Sequence, residues 1–383
     1  YGRQLVRRTL GRPEPDEAEG AAHGDARSDG ARHEGYDRCD GERHYGCHQE
    51  KPSGGPYPEG HYPGKTILLR ADMDALKIHE QADVEYKSKI DGMMHACGHD
   101  GHMAVILGLA KMIMSEKENL NYNVYLIFQP AEEGPLPGGA TKILEENILE
   151  NIDAFFAYHV SNKYETGEVA IKVNSAAAAP DLFDITVHGV GCHASTPSMG
   201  INPNIISSHL VLELDKLYKK LLTTNPFLVI TTTTISSNGA YNIIPDLALI
   251  KGTARSFTNE ERNMLKDEMT NVVNYISKLY NVQIDFNFHY AYDPVINDEN
   301  LANIYFKHAS KYMKNCINLE KPEMIGEDFS YYRRLAPICL VWLGTRKYDC
   351  EIIDLHSPKF YIDEDALLNA SLVFLDILKG TDL

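Results

Sequence analysis

Residues 11–64 constrain the fold most, because they contain no valine, isoleucine, leucine, methionine, phenylalanine or tryptophan. Such a segment cannot bury enough apolar surface to offset the conformational entropy that folding removes. After Lys65 the composition changes abruptly: lysine replaces arginine, and asparagine and isoleucine become common. Residues 1–64 are therefore interpreted either as a disordered tail or as the product of a reading-frame shift in the gene. In both cases the folded protein has to be built from residues 65–383.

Composition disfavours several functional classes. The chain has 37 lysine and arginine residues against 54 aspartate and glutamate residues, a net charge of −17, which argues against a nucleic-acid partner. No apolar run approaches the ~20 residues that cross a membrane. The seven cysteines are scattered and odd in number, which suits a reducing compartment better than a disulfide framework. We therefore expect a cytoplasmic protein of about two domains without a membrane partner.

The order of predicted elements divides the folded part into three segments. Residues 65–180 and 291–383 alternate short apolar strands with helices, which is typical of an α/β domain. Between them, residues 181–290 predict the order β-α-β-β-α-β of a ferredoxin-like sandwich. The sequence thus predicts a larger α/β domain that is split by a smaller inserted domain.

Two helix ends carry capping signals. Thr258 is followed three residues later by Glu261, the spacing of a capping box at the start of the second helix of the inserted segment. The last helix of the chain is predicted at about 364–378, with Asp363 as its N-cap and Gly380 as its stop.

Polar side chains follow each strand of the first α/β segment. Short apolar runs predict buried strands at residues 65–70, 123–128 and 153–158, and the third strand is expected to end at the next residue. The side chains that follow are Asp72 and Asp74, Glu132 and Glu133, and His159. In open α/β sheets the carboxyl ends of the strands form the ligand-binding edge, so this pattern predicts a site there.

Residues 95–102 read HACGHDGH and precede a helix predicted at 103–114. Imidazole and thiolate are ligands for ions such as Zn²⁺, Mn²⁺, Co²⁺ and Ni²⁺. Cys97 and His99 are two residues apart, so on an extended loop both would face one side and could bind the same ion or adjacent ions. The octapeptide therefore predicts part of a metal site.

The adjacent carboxylates of Glu132 and Glu133 suggest two different roles, one as a metal ligand and one as a general base. They repel each other unless a cation lies nearby. One can bind metal while the other takes a proton from metal-bound water and returns it to a leaving amine. A solvated loop with two surface acids is the alternative.

The candidate ligands exceed the number that one tetrahedral ion needs, which suits a two-metal centre. They are Cys97, His99, Glu133, His159 and His356. Asp72 and Asp74 are interpreted either as acceptors that orient ligand histidines or as turn residues.

Three residues of the inserted segment have both a functional and a structural interpretation. His193 lies in a glycine-rich loop and could stabilise an oxyanion if the inserted domain closes over the metals. Asn242 could donate to a carbonyl oxygen, and Arg255 could hold a substrate carboxylate. From the residues alone, a structural role is the favoured interpretation of all three.

Taken together, the motifs resemble the M20 metallopeptidases, in particular the amidohydrolase branch that includes aminoacylases, hippurate hydrolases and N-acetyldiaminopimelate deacetylases. The matching segments are 69–76, 95–102, 128–134, 191–194, 241–245, 252–257, 327–329 and 355–360. The resemblance implies a di-metal catalytic domain with a mixed sheet, interrupted by a lid domain that also mediates homodimerisation. It further implies two divalent ions per subunit (Zn, Mn, Co or Ni).

The resemblance also implies roles for individual residues. Glu132 matches the general base, and the metal ligands match Cys97, His99, Glu133, His159 and His356. Positions that reach substrate, often that of a neighbouring subunit, match His193, Asn242 and Arg255. The implied reaction is hydrolysis of an N-acyl amino acid to a carboxylate and a free amino acid.

The sequence departs from the family pattern at its start, where residues 7–10 are recognisable and the pattern is then lost. One alternative to the amidohydrolase hypothesis is therefore a binding protein whose catalysis is impaired by the abnormal N-terminus. The other is a dipeptidase or exopeptidase on the same scaffold, since both reactions split an amide beside a free carboxylate.

Overall fold

The computed structural model describes residues 64–383, so the interpretation of the tail at residues 1–64 lies almost entirely outside the described residues. The first elements are β1 (Thr66–Asp72), α1 (His99–Glu116), β2 (Asn123–Gln129), α2 (Gly139–Glu145), β3 (Ala154–Glu165), β4 (Glu168–Ile171) and β5 (Asn174–Ala177). They are followed by β6 (Ala179–His188), β7 (Cys192–His193), α3 (Pro203–Leu222), β8 (Val229–Ser237), β9 (Ile243–Ile244), β10 (Leu247–Ser256), α4 (Asn259–Tyr280) and β11 (Ile284–His289). The last are β12 (Val295–Asn297), α5 (Glu299–Ala309), β13 (Asn315–Asn318), a 3-10 helix (Asp328–Arg334), β14 (Ile338–Arg346) and α6 (Asp365–Lys379).

A six-stranded sheet in the order β13-β4-β14-β3-β1-β2 organises the two α/β segments. Its neighbouring strands are parallel except β14 and β4, which are antiparallel, so the sheet is mixed as expected. One face packs against α1, α5 and α6, represented by Leu109, Tyr305 and Phe374. The other face packs against α2 and the 3-10 helix through Ala140 and Phe329. Because both faces are covered, β1 is buried along its whole length, and Ile67, Leu68 and Leu69 are apolar on both faces of the strand.

The parallel strands β1, β2 and β3 bring their carboxyl ends to one edge of this sheet. Asp72 at the end of β1 pairs with Gln129 at the end of β2. The register of β1 with β3, in which Arg70 pairs with Ala157, puts His159 level with Asp72 at the end of β1. The three strands therefore deliver their polar residues to the same place.

The prediction that the third strand ends at His159 is wrong. β3 continues to Glu165, because β14 remains paired with it as far as Arg346. His159 is consequently held in the middle of a strand, with backbone partners on the β14 side, rather than in a loop.

A second sheet, in the order β11-β6-β10-β8, is formed by residues 179–289 and is antiparallel throughout. Its elements follow the predicted order β-α-β-β-α-β, with the short pair β7 and β9 added. α3 and α4 cover one face of the sheet through Leu210, Leu214, Leu265 and Met269. Each fully buried side chain of this size contributes about 1.5–3 kcal/mol relative to an exposed one.

The capping predictions had different outcomes. The Thr258 hydroxyl accepts from the Glu261 backbone N–H at 3.1 Å and the Glu261 carboxylate accepts from the Thr258 N–H at 3.2 Å, so the capping box is confirmed. Gly380 ends α6 as predicted, but Asp363 is not its N-cap. The Asp363 carboxylate instead accepts from the Thr166 hydroxyl at 2.7 Å, because packing against the loop after β3 takes precedence over local capping.

Every helix within residues 64–383 is too short or too polar to cross a bilayer.

A buried ion pair fixes α4 to the first strand of the antiparallel sheet. Arg262 donates to both carboxylate oxygens of Asp181, at 2.7 and 2.5 Å, and to Asp293 at 3.0 Å. The backbone N–H of Ala291 completes the coordination of Asp181 at 2.9 Å. Both partners of the pair are buried, so removal of one leaves the other without compensation.

We predict that Arg262→Ala lowers the free energy of unfolding by about 3–5 kcal/mol, because it leaves the Asp181 carboxylate buried and unpaired. The matched control is Arg334→Ala, which also removes a guanidinium paired with Asp293 but from a side chain that is 57% exposed. We expect that control to cost less than about 1 kcal/mol. Urea denaturation followed by circular dichroism measures both values, and equal losses would contradict the assignment.

Candidate metal centre

The five predicted metal ligands lie together at the carboxyl edge of the mixed sheet. Ligand atoms of Cys97, His99 and His159 lie within 4.8 Å of one another. Ligand atoms of Cys97, Glu133 and His356 form a second group by the same measure. The predicted ligands therefore divide into two groups of three that share Cys97.

The turn that presents Cys97 and His99 differs from the extended loop predicted from the sequence. Gly98 has a left-handed backbone with φ of 79°, and α1 begins at His99, four residues before the predicted start. A Cβ at Gly98 would lie 2.2 Å from a methyl group of Val160, so the turn needs glycine both for its dihedral angle and for its close approach to β3. Both side chains still reach the same group of ligands, although through a tight turn.

His159 is oriented by its own strand. Its Nδ1 lies 2.9 Å from the carbonyl oxygen of Val160, which can only accept, so Nδ1 carries the proton. Nε2 is then free to act as a ligand atom and lies 3.5 Å from the Cys97 sulfur. Burial, with the neighbouring imidazole of His102, holds the pKa of His159 well below its usual value, which keeps the ring neutral as a metal ligand requires.

His356 belongs to a loop after β14 and has a positive φ of 65°. Its backbone N–H donates to the carbonyl of Ala96 at 2.8 Å, next to Cys97. Its Nε2 lies 2.9 Å from a carboxylate oxygen of Glu133. Burial would raise the pKa of Glu133, but the contact with His356 lowers it overall.

Asp72 and Asp74 face the His99 ring from its two nitrogens. An oxygen of Asp72 lies 3.6 Å from Nε2, and an oxygen of Asp74 lies 3.4 Å from Nδ1. Asp74 also accepts from the backbone N–H groups of Glu132 and Glu133, at 3.1 and 2.7 Å. These contacts favour the interpretation of both aspartates as positioning acceptors over the interpretation as turn residues.

Glu132 lies beside this cluster with its side chain almost fully buried. One of its carboxylate oxygens is 3.9 Å from Nε2 of His99. Its backbone carbonyl accepts from the hydroxyl of Tyr292 at 2.5 Å, and Ala131 before it has a φ of 60°, an uncommon value for a residue with a side chain. Burial and the nearby carboxylate of Glu327 raise the pKa of Glu132 well above its usual value. A buried carboxylate with a raised proton affinity is suited to accept a proton.

A buried group around Arg70 was not assigned a role from the sequence. The Arg70 guanidinium contacts carboxylates of Asp72, Asp328 and Glu327 at 2.7, 2.8 and 3.0 Å, and it donates to Gln129 at 3.1 Å. Its position within an apolar strand was the available signal, because a charged residue there has to be buried with partners. The partners themselves come from distant parts of the chain.

The charge of this region tests whether the residues fit metal ions. Four buried carboxylates face a single guanidinium, and they belong to Asp72, Glu132, Glu327 and Asp328. Both ring nitrogens of His99 are buried and make no hydrogen bond within residues 64–383. Excess negative charge and buried imidazole nitrogens that make no hydrogen bond are costly unless cations bind them. With a thiolate, imidazoles and carboxylates as donors, the residues present fit divalent transition-metal ions.

The three residues predicted from the inserted segment separate into two places. Arg255 lines a cavity of about 510 Å³ together with Cys97, Glu132 and Glu133. Within the described part of the chain its side chain makes no hydrogen bond or ion pair, and burial lowers its pKa. His193 and Asn242 line another cavity, of about 370 Å³, whose described lining contains none of the metal-ligand candidates.

Comparison with known proteins places these motifs in context. The sequence model of peptidase family M20/M25/M40 matches residues 68–380. Thermostable carboxypeptidase 2 of Saccharolobus solfataricus is 39% identical over 80% of this chain and 78% of its own, and N-acetyl-L-cysteine deacetylase of Bacillus subtilis is 35% identical over 84% and 75%. The crystal structure of the Bacillus subtilis YXEP protein, a dinuclear metal-binding peptidase of the M20 family, has a TM-score of 0.70 at 31% identity, covering 82% of this chain and 81% of that one.

We predict that Zn²⁺ or Mn²⁺ raises the melting temperature of protein that has been stripped with a chelator. Ions that bind only the native state stabilise it by about 2.7 kcal/mol at a free concentration of 100 times Kd. Cys97→Ala removes a ligand from both groups, so its metal content should fall to less than about half that of the unchanged chain.

Cys339→Ala is the control, since Cys339 is also buried but lies in the core between the sheet and its helices. We expect it to keep the metal content of the unchanged chain, measured by inductively coupled plasma mass spectrometry. Full occupancy in Cys97→Ala would contradict a shared ligand.

Proposed function

The chain belongs to peptidase family M20/M25/M40 and is a hydrolase of amide bonds, and from that premise we propose that it cleaves N-acyl amino acids to a carboxylate and a free amino acid. The observation that carries the proposal is the meeting of three features in one cavity. The two ligand groups share Cys97, the buried Glu132 lies against them, and the unpaired Arg255 faces the same space. The name of the deacetylase relative from Bacillus subtilis, which acts on an N-acetyl amino acid, supports the same substrate class.

We assign the metal ligands to Cys97, His99, Glu133, His159 and His356. When bound, two ions such as Zn²⁺, Mn²⁺, Co²⁺ or Ni²⁺ would polarise the scissile carbonyl and lower the pKa of water. The protein itself holds these ligand side chains in position. Asp74 holds the backbone of both glutamates, and Asp72 and Asp74 limit the rotation of the His99 ring.

Glu132 acts as the general base in this proposal. Its carboxylate takes a proton from the attacking water and returns it to the nitrogen of the leaving amine. The surrounding burial supports this role, because a carboxylate in bulk water would be too weak a base to accept the proton efficiently.

Arg255 supplies the contact that selects an amino acid as the leaving group. Its guanidinium has no partner within residues 64–383 and faces the cavity, so it is available to bind a carboxylate through two parallel hydrogen bonds. A free α-carboxylate, which only the α-carbon separates from the scissile amide nitrogen, meets this requirement.

A carboxypeptidase or dipeptidase activity is the second candidate. The two thermostable carboxypeptidases of Saccharolobus solfataricus, 39% and 38% identical to this chain, favour it. Both reactions cleave an amide next to a free carboxylate, so Arg255 serves either. Release of amino acid from acetylated amino acids without cleavage of dipeptides supports the first candidate, and the reverse supports the second.

We predict that Glu132→Gln lowers kcat by about 10²–10⁴-fold while the metal content stays unchanged, because the amide cannot accept the proton. Amino-acid release from N-acyl amino acids and dipeptides measures this after metal loading. The control is Glu145→Gln, an exposed glutamate of α2, which should keep full activity.

An unchanged kcat in Glu132→Gln would contradict the assignment of the base. Absence of turnover in the metal-loaded, unchanged chain would favour the binding-protein alternative.

We propose that the antiparallel sheet and its two helices form a lid that also joins two subunits. Supporting features are the free edge of β8 and apolar side chains of the same unit that are at least half exposed. These side chains are Met199, Ile205, Leu212, Ile235, Tyr241, Ile243, Tyr275 and Leu279. His193 and Asn242, which line a cavity apart from the ligands of their own chain, are then available to the substrate of the partner subunit.

This arrangement predicts complementation between two inactive variants. His193→Ala and Glu132→Gln should each have little activity alone, whereas co-expression of the two should restore about a quarter of the wild-type activity. Half of the dimers are mixed at random, and each mixed dimer contains one site with both residues intact. Differently tagged chains allow the mixed dimers to be purified, and mixed dimers without activity would show that His193 does not act across subunits.

A further inference from the structure

Two segments of the chain run outward from the metal centre along the walls of its cavity. The first segment is residues 159–163 of β3, of which His159, Ser161, Asn162 and Lys163 line the cavity. The second segment leads away from Glu327, which lies beside Glu132, and ends four residues earlier at Glu323.

An ion pair joins the far ends of these two segments. Nζ of Lys163 lies 2.5 Å from a carboxylate oxygen of Glu323. The backbone of Glu323 is fixed, since its N–H donates to the carbonyl of Ala176 at 2.8 Å and its carbonyl accepts from Ala178 at 3.2 Å. Glu323 is therefore fixed in the wall of the cavity, whereas the Lys163 side chain is 48% exposed and reaches Glu323 from the rim.

The wall between the metal centre and the ion pair is apolar on several sides. Its side chains are Met324, Ile325, Trp342, Ile353 and Leu355. The wall packs closely against Pro180 at Gly326, where an added Cβ would lie 2.4 Å from the proline ring. The cavity thus offers an apolar passage that leads to a neutralised pair of charges.

We propose that the Lys163–Glu323 pair determines which acyl groups the enzyme accepts, and that it favours extended, uncharged acyl chains. This inference rests on the proposed function, in which Arg255 holds the carboxylate of the amino acid and the acyl group extends along the two segments. A chain that ends in a carboxylate meets Glu323, and one that ends in an ammonium group meets Lys163. Neither charged end finds a free counter-ion, because each member of the pair is already neutralised by the other. A charged end would also lose its water in the apolar passage without compensation.

The test uses N-acyl amino acids with straight acyl chains of increasing length that end in a methyl, a carboxylate or an ammonium group. The full-length, metal-loaded enzyme should prefer the methyl end once the chain is long enough to reach the pair. Glu323→Gln leaves Lys163 unpaired and should raise relative kcat/KM for carboxylate ends by about tenfold, equivalent to about 1.4 kcal/mol. Lys163→Gln should raise it similarly for ammonium ends.

Three controls separate this effect from a general loss of activity. Acetylated substrates are too short to reach the pair and should respond equally to all variants. Lys314→Gln removes an exposed lysine that also lies near a carboxylate, that of Glu165, but outside the cavity, and should leave every preference unchanged. The reversed pair Lys163→Glu with Glu323→Lys should restore the preference for uncharged ends.

Binding of the same compounds to the metal-loaded Glu132→Gln variant, measured by calorimetry, gives a readout that does not need turnover. If no compound is hydrolysed by the unchanged enzyme, the proposed function fails, and the binding preferences still decide the inference. The inference is overturned if Glu323→Gln and Lys163→Gln leave the preference among the three chain ends unchanged. This preference is measured as relative kcat/KM in the active enzyme and as relative Kd in the Glu132→Gln background, and the proposed function stands in that case.

Discussion

The buried guanidinium of Arg70 is the interaction on which the rest of the centre depends. It joins the end of β1 to β2 and to the start of the 3-10 helix through Asp72, Gln129 and Asp328. A planar fork with donors in fixed directions can satisfy these partners together, whereas a lysine would offer a single point charge. Removal of Arg70 would leave several carboxylates buried without a cation. The positions of the candidate ligands therefore depend on Arg70 and its partners, which lie beneath them.

The same group explains why the chain tolerates so much buried acid. Around one guanidinium the structure gathers four carboxylates, and two imidazole rings pack next to them at 5.3 Å between His99 and His102. Without cations this arrangement would be strongly destabilising. If two divalent ions bind the candidate ligands, as proposed above, they offset this negative charge, and metal binding and folding are then energetically coupled in this region. The buried acidic residues thus destabilise the fold without cations and favour the binding of cations.

The strands and the grouping of the candidate ligands were predictable because the relevant signals are local. Apolar runs revealed β1, β2 and β3, and parallel strands necessarily present their carboxyl ends at one edge. The contacts of Arg70 were not predictable in the same way, since Asp328 lies 258 residues away in the sequence. The true end of β3 was missed for a similar reason: its length is decided by β14, a strand nearly two hundred positions later. The antiparallel unit was visible in its element order, but the placement of Arg255 and His193 on two different cavities depends on tertiary packing that no local pattern encodes.

Gly98 links the two elements that carry most of the nitrogen and sulfur donors. Its α-carbon lies where β3 passes closest to the turn before α1, with Val160, the neighbour of His159, directly opposite. An added methyl group would have to displace one element from the other, and the separation between Cys97 and His159 would widen with it. The distance between the donor atoms of Cys97 and His159, which are far apart in sequence, thus depends on the absence of a side chain at Gly98. Variation at a residue with no ligand atom of its own would therefore change the affinity for metal as directly as the loss of a ligand.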